Sequence, residues 1–236
     1  PDPTEIHAAR EKLTRLIAEH LEADLPRIFE AMRVPGPYTP NSKAAGCRTL
    51  RQTVLALWAR RDGGKAAEKL FADADNMTEQ LGALGTLMSI GRGQPEAEAF
   101  YKQWHEDRLV MDKWFSLQAM YASPDVAAER ASELTEHPLF DWKNPNRFRS
   151  VIGGLVGNPA GFHHPSGAGY RFVADWLIKL DPLNPQTAAR MSTVFETWRR
   201  YDADRQGMIE AELRRIGATP LLSRDTTEMV SRIRGA

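Results

Sequence analysis

Apolar side chains recur along this chain every three to four positions, the spacing that gathers them on one face of an α-helix. Ile6, Leu13, Leu16, Ile17, His20 and Leu21 form the first such stripe. Val110, Trp114, Leu117 and Tyr121 form another, and Phe172, Val173, Trp176, Leu177 and Leu180 a third. Met191, Val194, Phe195 and Trp198, then Ile209, Leu213 and Ile216, carry the pattern toward the end. Strand-like alternation of β-branched residues is sustained nowhere, and good helix formers fill the exposed positions. The spacing predicts an all-α chain of about ten or more helices.

The breaks between these stripes carry helix-start chemistry. Ser123-Pro124, Asn144-Pro145 and Asn184-Pro185 each set a capping oxygen before a proline, which loses nothing at the first helical position by lacking its N–H. Asn41-Ser42, Asn76 and Ser223 read as further starts. Val34-Pro35-Gly36-Pro37-Tyr38-Thr39-Pro40 is too rich in proline for a helix and predicts an extended connector. Residues 158–169, with the paired His163-His164, predict the longest irregular segment. Asn144 and Asn184 lie about 40 residues apart, the length of a two-helix unit in HEAT or armadillo arrays. We therefore expect stacked antiparallel helix pairs, an armadillo/HEAT-like superhelical array forming a single helical-repeat domain over 1–236, in preference to a closed bundle.

Composition narrows the partners. The 31 Lys plus Arg balance 31 Asp plus Glu, which removes the general attraction expected of a nucleic-acid or anionic-membrane binder. Apolar residues make up 42% and charged residues 26%, as in an ordinary globular protein. The lone Cys47 has no internal disulfide partner. No apolar run approaches the roughly 20 residues needed to cross a bilayer. Pro1-Asp2-Pro3-Thr4-Glu5 has neither the basic start nor the apolar stretch of a signal peptide, so the expected location is cytoplasmic. A start at proline rather than methionine reads as the boundary of a fragment.

The motifs yield no catalytic constellation. A zinc-peptidase helix needs two histidines one turn apart with a glutamate between them, but His105-Glu106 is followed by Asp107-Arg108-Leu109, with leucine at the second ligand position. Asp202, Asp204, Gln206 and Gly207 imitate part of a calcium loop, yet Leu213 stands where the bidentate glutamate belongs, so a helix-start turn is the better reading. His163-His164 has no Cys, Asp or Glu beside it in its loop to complete a metal site. Gly167-Ala168-Gly169 lacks the third glycine and preceding strand of a phosphate cradle. Gln186 and Arg190 are more informative. Four apart near a helix start, they put an amide and a guanidinium on one face, a pairing that suits a carboxylate, although a solvated helix face has the same spacing. Arg147 and Arg149 are offset by two, so only one can face a given partner. The six tryptophans read as core anchors.

Several segments resemble a known family. Leu109-Val110-Met111-Asp112-Lys113-Trp114-Phe115, Asn144-Pro145-Asn146-Arg147, Gly167-Ala168-Gly169-Tyr170, Asn184-Pro185-Gln186 with Ala189-Arg190, and Arg200-Tyr201-Asp202 are similar, in order, to the C-terminal domain of the bacterial aminopeptidase N family. These are gluzincin zinc metallopeptidases, also called alanyl aminopeptidases. The resemblance implies a noncatalytic terminal domain that caps the active-site chamber, limits access and helps position peptide substrate. It implies that zinc and the Gly-Ala-Met-Glu-Asn motif belong to other domains of the parent enzyme, with no cofactor and no catalytic residue in this chain. Arg149, Gln186 and Arg190 match the family's cavity-facing residues, which implies a substrate-binding role. The implied partners are the remaining domains of the same enzyme and the peptide. From the helical pattern alone, a free-standing protein-interaction scaffold is the alternative.

Overall fold

Each helix start that the sequence marks with asparagine is closed by that side chain. The computed structural model describes residues 1–235. In it the Oδ1 of Asn41 accepts from Ala44 N at 2.9 Å, that of Asn76 from Glu79 N at 3.0 Å, and that of Asn184 from Thr187 N at 3.0 Å. Asn144 caps two amides at once, those of Asn146 and Arg147. Such caps are typically worth about 1 kcal/mol each. Ser123 is the exception. Its side chain caps nothing, because Pro124–Val126 winds as a 3-10 turn before the next helix begins at Ala127.

The described residues form fourteen α-helices: α1 (Pro3–His20), α2 (Leu25–Ala31), α3 (Ser42–Asp62), α4 (Lys65–Asp73), α5 (Met77–Ser89), α6 (Gln94–Trp104), α7 (Arg108–Met120), α8 (Ala127–Glu136), α9 (Pro145–Val156), α10 (Pro159–Phe162), α11 (Ala168–Leu180), α12 (Pro185–Ser192), α13 (Ala203–Gly217) and α14 (Arg224–Arg234). The described residues contain no strand, as the periodicity predicts. None of their helices is long and apolar enough to cross a membrane. The contacts fall into two compact units, divided inside α1 and inside α7.

The unit Ala8–Leu117 is built around α3, which packs on α2, α4 and α5. Phe29, Leu55, Leu70, Leu84, Leu87 and Phe100 fill its core. Burying a side chain of this size contributes about 1.5–3 kcal/mol. The predicted connector between α2 and α3 contains no helix and bends at Gly36-Pro37, where Gly36 takes φ +82°. The apolar stripe of α1, by contrast, is turned outward: Ile6, Leu13, Leu16 and Ile17 are exposed, while Ala18 is fully buried. The opposite side of the helix pairs Glu11 with Arg60 at 3.2 Å, and Glu22, just past the helix end, pairs with Arg61 at 2.8 Å.

The other unit joins Pro1–His7 to the stretch from Gln118 onward. There α11 packs on α8, α12 and α13, and α12 and α13 pack on α14. Phe148, Phe162, Tyr170, Leu177, Phe195 and Leu213 form its core. Two expectations change here. The segment after Asn158 is mostly ordered: Asn158 caps Gly161 N at 3.1 Å and α10 forms, leaving residues 163–167 as the connection. The stripe from Met191 to Trp198 is not one helix, because α12 stops at Ser192 and two 3-10 turns follow. The stripe still does its packing, with Phe195 and Trp198 buried and the Trp198 indole donating to Ile233 O at 3.0 Å. Of the six tryptophans, Trp114 and Trp198 are buried anchors and the other four are half-buried.

Candidate functional site

Helix α12 presents Gln186 and Arg190 because of what its other face buries. Ala188, Ala189 and Ser192 are packed inside, and these small residues let α12 lie close to α14 and α11. One turn apart on the outward side, Gln186 and Arg190 are both exposed, and neither side chain has a hydrogen-bond partner among the described residues. An amide and a guanidinium free on one helical face can meet a carboxylate, the guanidinium through two parallel N–H donors.

Helix α9 separates its two arginines as the offset of two requires. Arg147 is buried and donates to the Leu139 carbonyl oxygen. Arg149 is exposed and donates to Asn146 Oδ1 at 2.7 Å. Gln186 and Arg190 share one face of α12, and Arg149 lies on α9 beside Asn146.

His163 is occupied in the core. It is 7% exposed, its Nδ1 lies 2.9 Å from the Tyr170 hydroxyl, and its ring packs at a tilt against Tyr201, 4.2 Å between centroids. Burial first, and the nearby Arg205 second, lower its pKa to about 4, so it stays neutral near pH 7. Burial raises the Tyr170 hydroxyl above its usual range. Arg205 seals the cluster, donating from Nε to His163 O at 2.7 Å and pairing with Asp202 at 2.6 Å. Asp202 itself caps α13 by accepting from Arg205 N at 3.0 Å, the helix-start turn expected of the imitation calcium loop. The glycines beside it are structural too. Gly167 adopts φ +67°, and a Cβ on Gly169 would stand 2.5 Å from Phe162 O. His164 lies nearer the surface, with Nε2 3.3 Å from Asp125.

One cavity escaped sequence reasoning. It lies in the unit Ala8–Leu117, holds about 500 Å³, and is lined by Phe29 and Trp58, the Val34-Pro35-Gly36 connector, and charged residues from α2 to α5. Arg51 occupies its inner wall on a face of α3 that otherwise buries Val54, Leu55 and Ala59. An arginine in register with that apolar face, next to a proline-rich connector, was the available signal. No group of three His, Cys, Asp or Glu side chains among the described residues could hold a metal ion.

The whole described chain, residues 1–235, matches the model of a family described as a domain of unknown function (DUF3458_C) with ARM repeats. The chain belongs to this family. Its ARM-repeat description agrees with the all-α helix array. Aminopeptidase N of Caulobacter vibrioides is 41% identical over 99% of this chain and 28% of its own length. Aminopeptidase N of Escherichia coli is 36% identical over 98% of the chain and 27% of its own length. A solved structure of Legionella pneumophila aminopeptidase A, in complex with aspartic acid, superposes with a TM-score of 0.88 at 32% identity, covering the whole chain and 29% of that protein. The chain thus spans a little over a quarter of the length of the relatives it matches. The resemblance to aminopeptidase N drawn from the motifs holds along nearly all of this ARM-repeat chain.

Proposed function

We propose that this ARM-repeat chain serves as a noncatalytic part of a zinc-dependent aminopeptidase of the cytoplasm. In this reading it caps the chamber where peptides lose their N-terminal residue, limits access, and uses Gln186 and Arg190 to hold the peptide carboxylate. Arg149 supplies further positive charge to the same wall. The observation that carries the proposal is the exposed, unpartnered pair on α12, in a chain matched almost throughout by part of aminopeptidase N. In this reading zinc belongs to portions of the parent protein outside this chain, as the resemblance to aminopeptidase N implies. The outward apolar stripe of α1 supports a position covered by those portions.

The test uses the complete parent enzyme. Arg190→Ala should lower kcat/KM about tenfold for short peptides, the value of one charge-assisted contact, and leave single-residue aminoacyl arylamides within about twofold. Arylamides have no peptide carboxylate for Arg190 to meet. Equal losses on both substrate classes would refute carboxylate recognition. The free-standing scaffold is excluded as the chain's role if the source reading frame joins it to a zinc-ligand helix, and it leads if no such helix is encoded.

A further inference from the structure

A cavity lies beside Arg51 in the unit Ala8–Leu117. Arg51 is 7% exposed, and its guanidinium lies 4.2 Å from the Phe29 ring centroid. Its Nε donates to Phe29 O at 3.3 Å and its Nη1 pairs with Glu79. That leaves Nη2 with no acceptor among the described residues, although it is not sealed from solvent. Open to solvent, this corner of the guanidinium is free to take a charged acceptor, and such charge-assisted bonds are the stronger kind. An oxyanion placed there would complete the fork.

The remaining walls specify what the anion is attached to. Phe29 and Trp58 meet edge to face at 5.6 Å and offer an apolar wall beside Arg51. Lys69 pairs with Asp73 at 2.7 Å and also feels the charge of Glu30, whose carboxylate makes no hydrogen bond among the described residues. The cavity therefore has an open guanidinium corner, an apolar wall, and the exposed carboxylate of Glu30 among its lining. Its volume of about 500 Å³ falls in the range of small-molecule sites.

We propose that this cavity binds a zwitterion with a bulky apolar side chain, a free α-amino acid or a dipeptide. The carboxylate would sit on Arg51 Nη2, the side chain against Phe29 and Trp58, and the ammonium at Glu30. The site lies within one compact unit and rests on its own geometry, so it stands or falls independently of the peptidase reading.

Isothermal titration calorimetry on the 236-residue chain tests it with four probes. L-phenylalanine and L-leucyl-L-phenylalanine present the full pattern, L-phenylalaninamide lacks the carboxylate, and N-acetyl-L-phenylalanine lacks the ammonium. We expect one or both zwitterions to bind with Kd below about 10 mM, and each blocked probe to bind at least tenfold more weakly. Which zwitterion binds more tightly decides between amino acid and dipeptide. Trp58→Leu should weaken binding about tenfold while the far-ultraviolet circular dichroism stays unchanged. Arg51→Gln should abolish it. If Arg51→Gln fails to fold, the acid-versus-amide comparison carries the same question. Equal binding of acid and amide, or no heat from either zwitterion up to about 10 mM, overturns the proposal.

Discussion

Replacing Gly169 by alanine places a methyl carbon 2.5 Å from Phe162 O, 2.9 Å from its Cα and 3.1 Å from its carbonyl carbon. All three are backbone atoms, so no side chain can swing aside, and α10 or α11 must move. Overpacking of this kind costs about 1–3 kcal/mol, and backbone contacts belong at the upper end. Alanine returns up to about 1 kcal/mol through its lower conformational entropy in the unfolded chain. The net expectation is a loss of about 2 kcal/mol, or about 4–8 °C in Tm for a chain of this size. Gly153→Ala is the control. It lies inside α9 with nothing within 4 Å of the added carbon. The same chemical change there should stabilise by about 0.5–1 kcal/mol. Urea unfolding followed by tryptophan fluorescence reads both variants, with unchanged m values as the check on compactness. If Gly169→Ala proves as stable as Gly153→Ala, the close approach of α11 to Phe162 is wrong.

Other expectations follow from buried polar groups. Because the folded pKa of His163 lies below its unfolded value, the unfolded state binds the extra proton between about pH 6.5 and 4, so this group's contribution is complete above pH 6.5 and is lost as pH falls. Wild-type stability should drop by about 2 kcal/mol from this source between pH 7 and 5, and His163→Gln should remove that slope in pH-dependent urea unfolding. The buried Asp181 accepts from Ser223 N at 2.7 Å and from Ser223 Oγ at 2.5 Å, so Asp181→Ala should cost about 2 kcal/mol and raise amide hydrogen exchange first at the start of α14. Asn144→Ala removes the cap shared by Asn146 N and Arg147 N and should cost about 1 kcal/mol in thermal unfolding.

What was legible in the sequence was local. Asn41, Asn76, Asn144 and Asn184 act within three residues of themselves, so their caps could be read directly. The shared face of Gln186 and Arg190, and the opposite fates of Arg147 and Arg149, follow from helical spacing in the same way. Tertiary pairing was not legible. The stripe on α1 predicts an inward face, but the opposite side is the one held inward, with Ala18 buried and Glu11 paired to Arg60 on α3. The end of α12 at Ser192 interrupts a stripe whose apolar spacing continues, so periodicity alone does not mark it. The cavity draws its walls from three separate stretches, around residues 29–36, 51–58 and 66–79, and no local spacing brings those together. Gly169 reads as loop glycine in sequence, and only the Phe162 backbone opposite it shows why no side chain fits.

The central claim, that this chain shapes a peptidase chamber without performing the chemistry, is tested most directly by one activity comparison. The 236-residue chain alone and the protein encoded by its complete source reading frame are assayed side by side on an aminoacyl arylamide with zinc present. The account predicts zinc-dependent turnover by the complete protein and none by the chain alone. Turnover by the purified chain, or an inactive complete protein, would contradict it.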